Sequence, residues 1–572
     1  MSNGNGTGGL EKLGGQDLLK ALAVALLLPI TVVCTALTIY FPNSSELGID
    51  LASVLTVSLI FLVLTAVVLF VVQLPFVYLL KGKCFAFVNA FVLVAGFWFW
   101  VQANVFNWDM GPLIGRIPFA RFERVAYLEF GVWIALMVLA VVLFRFLSRY
   151  SIQFACILVA TQIVGLAPFA FKGSQTGGQL SSNFARYEYT LNHFFDYSQD
   201  KDVYIFVLDT FGSAIFDELL TDYHEKYYYE FKDFTYFPKH LVYNPIATRW
   251  SIPRILTGID TQNNTVSGFA QTPELQAHFH AAFSQKTLFD YATENGYKCQ
   301  VFTWAPSTQY WNPQSISNIR KLENDGVGTS LFALRMSRFV GLTIFRLLPL
   351  PLKWLGNENG LLAGDLLISR RTREKILDGE YLPLFFPIDD IRFFEKSQSV
   401  EWNFTPDQKQ LKFIFLQGAH LPFFMDENAE RLPPLTTMER RDYALARNQA
   451  RGTLKIVQSI LEKMKEHGTY DNSLIVIMSD HGAQSSQVSG SVRAIMNKPL
   501  LLVKRPMDRH ETMQINYNPV NLSDTTPAIL VELGLDTSEI STFRNLPAFS
   551  WFDVPEDIAE QRNAEWATYF TD

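Results

Sequence analysis

The chain has 572 residues, 49% of them hydrophobic, a mean hydropathy of +0.11, a formal net charge of −7 and an isoelectric point near 5.8. At about 100–200 residues per domain that length holds two to four domains, and the acidic balance lacks the basic footprint of a nucleic-acid binder. Cys34, Cys84 and Cys156 lie in apolar runs and only Cys299 in the polar half, so the spacing encodes no disulfide framework.

Residues 1–17 are rich in Gly and Asn and read as a mobile cytoplasmic tail. Five apolar stretches follow, at roughly 18–41, 51–80, 84–102, 126–147 and 151–171. Each approaches or exceeds the ~20 residues needed to cross a bilayer core. A cleavable leader would account for the first alone, so 18–171 is expected to be a transmembrane domain of five spans.

Lys and Arg orient it. Lys12 and Lys20 precede the first span, Lys81 and Lys83 separate the second and third, and Arg145 and Arg149 the fourth and fifth. The 42–50 loop carries Glu46 and Asp50 and no base. Arg116, Arg121 and Arg124, in the 103–125 loop, run against this pattern. The balance places the N-terminus in the cytoplasm and everything after Lys172 outside it. Few ionisable residues lie within the spans, which argues against a channel or transporter.

Residues 172–200 are a polar linker. From 201 to 572, short apolar runs alternate with helical periods, as in an α/β domain with a mainly parallel sheet. Strands are expected at Val203–Leu208, Gln300–Thr303, Phe413–Leu416, Leu474–Met478 and Leu500–Val503, and helices over 284–295, 436–467 and 524–534. The stretch 331–364 breaks the rhythm: it is apolar with Arg335, Arg338, Arg346 and Lys353 interspersed. Two readings stay open for it, a segment lying at a membrane surface and a core helix with a few exposed bases.

Three strands end in residues foreign to a core: Asp209, His420 in QGAHLPF, and Asp480-His481-Gly482. In open parallel sheets the ligand site lies beyond the carboxyl ends of the strands, and Asp with His is a donor set that suits zinc or manganese. Between the first two tips runs Asn244–Gly258 (NPIATRWSIPRILTG), with hydroxyls at Thr248, Ser251 and Thr257.

The order Asp209, Thr248, His420, Asp480-His481-Gly482 resembles the alkaline phosphatase superfamily in its sulfatase-like branch, over about 200–540. Sulfatases carry C/S-x-P-S-R-x-x-x-L-T-G; laid on Leu256-Thr257-Gly258, this puts Ser251 at the motif's serine and Thr248 at the nucleophile. Threonine is not converted to formylglycine, and Ile252 stands at the motif's arginine. The stretch Thr248–Pro253 is instead similar to the phosphoethanolamine transferases, which with phosphoglycerol transferases are membrane-bound members of that branch. The region His467–Gly482 with Lys498–Lys504 looks like uncharacterised bacterial membrane sulfatase-like proteins of envelope-polymer synthesis.

The resemblance implies an N-terminal five-helix membrane domain followed by an extracytoplasmic sulfatase-like catalytic domain, in a bacterial cytoplasmic membrane. It implies Thr248 as phosphoryl acceptor, a divalent metal (zinc first, manganese second) on Asp209, Thr248, Asp480 and His481, and His420 as a phosphoryl-binding or proton-donating group. It implies a phospholipid donor and a glycan or lipopolysaccharide acceptor. Ser251, Arg493 and Lys498 are the substrate-binding candidates; residues 483–503 lack the further histidine that many relatives carry. A phosphodiesterase or phosphatase acting on envelope molecules, and a catalytically inactive sensor or scaffold, are the competing expectations.

Overall fold

The computed structural model describes residues 8–47, 49–80, 82–106, 108, 122–176, 187–191, 193–243, 246–260, 285–304, 313–321, 326–350, 352–353, 381–383, 389–421, 423–432, 443–482 and 496–570. The chain divides into two compact units, Met1–Arg186 with Leu322–Asp378, and Tyr187–Lys321 with Gly379–Asp572.

In the first unit the apolar stretches form α1 (Gly8–Leu47), α2 (Leu51–Pro75), α3 (Gly82–Asn104), α4 (Glu123–Val142), the short α5 (Phe144–Arg149) and α6 (Ser151–Thr176). Five segments are long and apolar enough to cross a membrane: Gly15–Asn43, Leu51–Tyr78, Gly82–Asn104, Glu123–Val142 and Ser151–Phe169. Their outward side chains stay bare, Leu64 at 62% and Val164 at 72% exposure, an apolar surface of the kind lipid covers. Inside, Val24 and Leu27 of α1 pack on Ala90, Leu93 and Val94 of α3. Gly96 permits that approach, because a Cβ there would meet Leu27 Cδ2 at 2.7 Å. Amides pair across helices, Gln162 donating to Thr31 Oγ1 at 3.0 Å and Gln73 to the Ala21 carbonyl at 3.2 Å.

The helix Gly326–Leu347 also belongs to this unit. Its Met336 and Phe339 join Ala36, Leu37 and Tyr40 of α1 and Val54 of α2 in one core. Arg346 donates to the Ala103 carbonyl at 3.2 Å. Just beyond the helix, the Leu350 N–H meets the fully buried Glu129 carboxylate of α4 at 2.7 Å, and Trp108 Nε1 takes its other oxygen at 2.6 Å. The described part of 331–364 is thus built into the unit that carries the spans; residues 354–364 lie outside the described residues, as do Arg116 and Arg121.

In the second unit twelve strands are described: β1 (Tyr187–Thr190), β2 (Val203–Leu208), β3 (Thr235–Tyr236), β4 (His240–Leu241), β5 (Lys298–Thr303), β6 (Ile319–Lys321), β7 (Tyr381–Pro383), β8 (Gln410–Leu416), β9 (Leu474–Met478), β10 (Leu501–Lys504), β11 (Gln514–Ile515) and β12 (Val520–Asn521). The central sheet has seven strands in the order β11-β3-β10-β9-β2-β8-β5. Four neighbours, β9, β2, β8 and β5, run parallel, with Val203 opposite both Leu411 and Leu474. The expected strand at Leu500–Val503 is present as β10, but it runs antiparallel to β9.

Every residue of β2, β8 and β9 is buried, which is why these strands read as unbroken apolar runs. Gln410 and Lys412 are the exceptions in type, the Lys412 ammonium donating to Gln300 Oε1 at 2.8 Å and to the Phe194 carbonyl. The helix Tyr443–Glu466 follows its apolar period, burying Ala446, Ala450, Leu454, Val457 and Leu461.

Candidate active site

The strand order β9-β2-β8 sets three polar strand ends side by side. Asp209 directly follows β2, Asp480 stands two residues after β9, and His420 four residues after β8. Asp209 and Asp480 are fully buried and His481 is 3% exposed. His481 Nε2 lies 3.5 Å from Asp480 Oδ2 and 3.8 Å from Asp209 Oδ1. One donor atom from each of the three residues falls within 4.8 Å of the others.

The hydrogen bonds around this trio say what it can hold. His481 Nδ1 faces the Gly482 carbonyl at 2.9 Å. A carbonyl only accepts, so Nδ1 carries the proton and Nε2, the nitrogen beside the two acids, keeps a lone pair. Asp480 Oδ1 takes the N–H groups of Thr210 (3.1 Å) and His481 (2.9 Å), while the buried Oδ2 has no hydrogen-bond partner among the described residues. Asp209 Oδ1 accepts from the Thr210 hydroxyl at 2.8 Å and Oδ2 from the Thr248 hydroxyl at 3.3 Å.

Burial, and after it the Asp480 charge, push the Asp209 carboxyl well above the ordinary carboxylate range, with His481 opposing. Two dry carboxylates and an imidazole lone pair, one carboxylate oxygen orphaned, form a donor set that a divalent cation satisfies. Thr210 organises both acids at once. Its φ of +62° is left-handed, uncommon for a β-branched residue, and in that conformation its N–H reaches Asp480 while its hydroxyl reaches Asp209.

Thr248 opens the helix Thr248–Thr257. Ala247 before it is extended, so Thr248 is the first helical residue, at the end where unpaired N–H groups and the helix dipole favour an anion. The Leu256-Thr257-Gly258 tail is the stop signal. Gly258 has φ +71° and its N–H returns to the Arg254 carbonyl at 2.9 Å; a Cβ there would press Pro527 Cδ at 3.0 Å. Arg254, which the sequence pattern gave no reason to select, is 1% exposed, donates to the Tyr243 carbonyl at 2.9 Å and faces Asp260 at 3.5 Å. It pins the helix from behind.

Ser251 is fully buried within that helix, and its hydroxyl has no hydrogen-bond partner among the described residues. It is enclosed rather than presented. His420 Nδ1 donates to the Leu421 carbonyl, leaving Nε2 with the exchangeable position, and its ring sits 5.1 Å from that of Trp304. Burial lowers its pKa below the usual histidine value, while the Asp480 charge pulls the other way. Lys498 extends over the Trp566 ring, 5.0 Å from its centroid, and burial lowers its pKa against the pull of Asp217. Arg493, Asn244 and Pro245 lie outside the described residues. Asp209, Thr248, Asp480 and His481 are therefore brought together, with His420 feeling Asp480's charge.

The sulfatase family profile matches residues 234–534, more than half of the chain, and the chain belongs to the sulfatase family. The matched domain is preceded by apolar helices, and members of the family depend on divalent metals.

Among solved structures, the chain is similar to the lipoteichoic acid synthase LtaP from Listeria monocytogenes (13% identity, 63% of this chain and 75% of that one, TM-score 0.33). It is similar to the periplasmic domain of EptC from Escherichia coli (13%, 63% and 88%, TM-score 0.33). It is similar also to a phosphonate monoester hydrolase from Silicibacter pomeroyi (15%, 63% and 78%, TM-score 0.33). No curated protein matches the chain.

Proposed function

We propose that this protein transfers a phospholipid head group, of the phosphoethanolamine or phosphoglycerol type, to a hydroxyl of an envelope glycan or lipopolysaccharide through a phosphothreonine at Thr248. The observation that carries the reading is the position of Thr248 Oγ1, at a helix N-terminus and 3.3 Å from Asp209 Oδ2 in the carboxylate–imidazole trio. A threonine hydroxyl is a weak nucleophile until its proton is drawn off, and Asp209 already accepts that proton's hydrogen bond. A divalent cation on Asp209, Thr248, Asp480 and His481, zinc before manganese, would supply Lewis-acid charge there.

In the first half-reaction Thr248 Oγ1 gives its proton to Asp209 and bonds to phosphorus, the bond from phosphorus to the glycerol oxygen of the lipid breaks, and that oxygen takes a proton from Nε2 of His420, which enters the step as imidazolium. In the second, the acceptor hydroxyl returns a proton to His420 and displaces Thr248, which recovers its own. The N–H groups opening the helix offer donors to the phosphoryl oxygens. The five apolar helices and the loop charges support a bacterial cytoplasmic membrane location with the catalytic unit on the outer side.

The test is lipid and glycan mass analysis of envelopes from cells carrying the wild type or Thr248→Ala, with mass spectrometry for phospho-Thr248. A head-group-sized mass missing only in the variant is the expected result. Phospho-Thr248 that turns over without any glycan would make the acceptor water, and unchanged envelope fractions would sink head-group transfer.

A further inference from the structure

The helix Asp390–Ser399 begins with two acids that have different duties. Asp389 caps the helix, its carboxylate accepting from the Arg392 N–H at 3.1 Å. Asp390 is fully buried and makes no ion pair among the described residues. Its Oδ1 accepts the Gln417 N–H at 2.8 Å and its Oδ2 the Gly418 N–H at 3.3 Å. Burial pushes its carboxyl up to about 7. A dry carboxylate without a cation is costly, so its retention has to be explained by what those two N–H groups belong to.

They belong to the turn that ends in His420. Gln449, from the helix Tyr443–Glu466, grips the same turn from its carbonyl side, its amide donating to Gly418 O at 3.0 Å and His420 O at 3.1 Å. The Thr453 hydroxyl adds a third contact, to Gly418 O at 3.3 Å. Gly418 has φ +59°, and a Cβ on it would fall 2.4 Å from the Asp209 carbonyl. The Ala419 N–H donates to that same carbonyl at 2.8 Å. The turn is thus fixed to the backbone of Asp209 on one side and to Asp390 and Gln449 on the others.

We infer that Asp390 is a positioning residue, which with Gln449 holds the Gln417–His420 turn so that the imidazole meets the leaving oxygen; the inference rests on the head-group-transfer reading above. A misplaced proton donor matters most where the leaving oxygen is a poor one. The test uses the full chain in detergent micelles, loaded with Zn²⁺, and two synthetic esters of the head group that phosphorylates Thr248 in the wild type, one of 4-nitrophenol and one of glycerol.

His420→Ala is expected to lose about 10²-fold on the glyceryl ester and little on the nitrophenyl ester. Asp390→Asn, which turns an amide N–H toward a backbone N–H, is expected to show the same selectivity, with no further loss when combined with His420→Ala. Zn²⁺ affinity by calorimetry should stay at the wild-type value. Gln449→Met, on the other side of the turn, gives a second route to the same result should Asp390→Asn fold poorly. Selectivity in His420→Ala, with Asp390→Asn and Gln449→Met losing both esters equally or neither, overturns the positioning role and leaves head-group transfer standing. Loss of both esters alike in His420→Ala, or no phospho-Thr248 from any head group, overturns the parent reading and this inference with it.

Discussion

Replacing Asp209 by Asn should stabilise the metal-free protein while abolishing its response to metal. The ligand atoms of Asp209 and Asp480 lie within 4.8 Å of each other. Once Asp209 is ionised, two unit charges at that limiting separation repel by about 3.5 kcal/mol at an effective dielectric of about 20. His481 opposes part of this, so a net gain of roughly 1–3 kcal/mol is expected from that repulsion. Asn keeps the hydrogen bonds: its oxygen can accept from one of the Thr210 and Thr248 hydroxyls while its amide donates to the other.

Thermal melting of the full chain in micelles, stripped by chelator and then titrated with Zn²⁺ at mildly alkaline pH, measures both effects. At about 2 °C per kcal/mol for a unit of this size, stripped Asp209→Asn should melt a few degrees above stripped wild type. Zinc should raise the melting point of wild type alone. A stripped variant that melts below wild type, or equal zinc shifts in the two proteins, would refute a charge-strained cation site.

Thr248→Ala should remove all phosphoenzyme, and Thr248→Ser should restore it in part, since it returns the hydroxyl at the helix start; intact-protein mass spectrometry decides. Gly418→Ala should cost about 2–3 kcal/mol or more in chemical denaturation, because φ +59° and a Cβ 2.4 Å from the Asp209 carbonyl both oppose it. His240 is fully buried, donates Nδ1–H to the Leu500 carbonyl at 3.2 Å, and has its pKa lowered by burial from 6.5 to about 4. The unfolded chain therefore binds the extra proton first, and stability falls as pH drops from 6.5 towards 4, by up to about 3 kcal/mol. His240→Gln should flatten that limb in melting curves run against pH. Glu129→Ala, which removes the acceptor of the Trp108 and Leu350 N–H groups, should make the segment around residues 326–353 more sensitive to limited proteolysis.

What was legible in the sequence was whatever periodicity and strand-end chemistry could encode. The five apolar stretches coincide with five helices long enough to span a membrane, because length and hydropathy alone dictate that outcome. The strands β2, β8 and β9 were visible as buried runs, and their polar ends marked Asp209, His420, Asp480 and His481. The antiparallel direction of β10 was not visible, since an apolar run carries no sign of direction. Asp390 was hidden for a different reason. It sits at a helix start, where an acid is ordinarily a cap, and only the tertiary fold shows that Asp389 caps while Asp390 serves a distant turn. The bridging of two carboxylates by Thr210 depends on a left-handed φ that sequence does not announce. Ser251 was conspicuous in the motif, yet helical phase turns it into the core.

The inserted helix bears on the donor proposed above. Residues 322–378 interrupt the catalytic unit's sequence between β6 and β7, yet they belong with the apolar helices, so the chain passes between the two units three times, after Arg186, Lys321 and Asp378. One span would suffice to tether an enzyme that takes soluble esters. Here, beyond five helices long and apolar enough to span, a fully buried carboxylate in α4 holds the backbone of Leu350 and the indole of Trp108. Such a group is expensive in an apolar setting unless it fixes something that must stay ordered. What it fixes is the end of a segment carrying Arg346, which donates to the Ala103 carbonyl, and Lys353, which lies buried over the Phe345 ring. On the head-group-transfer reading proposed above, five apolar helices and a basic segment ordered among them suit a donor that resides in the bilayer.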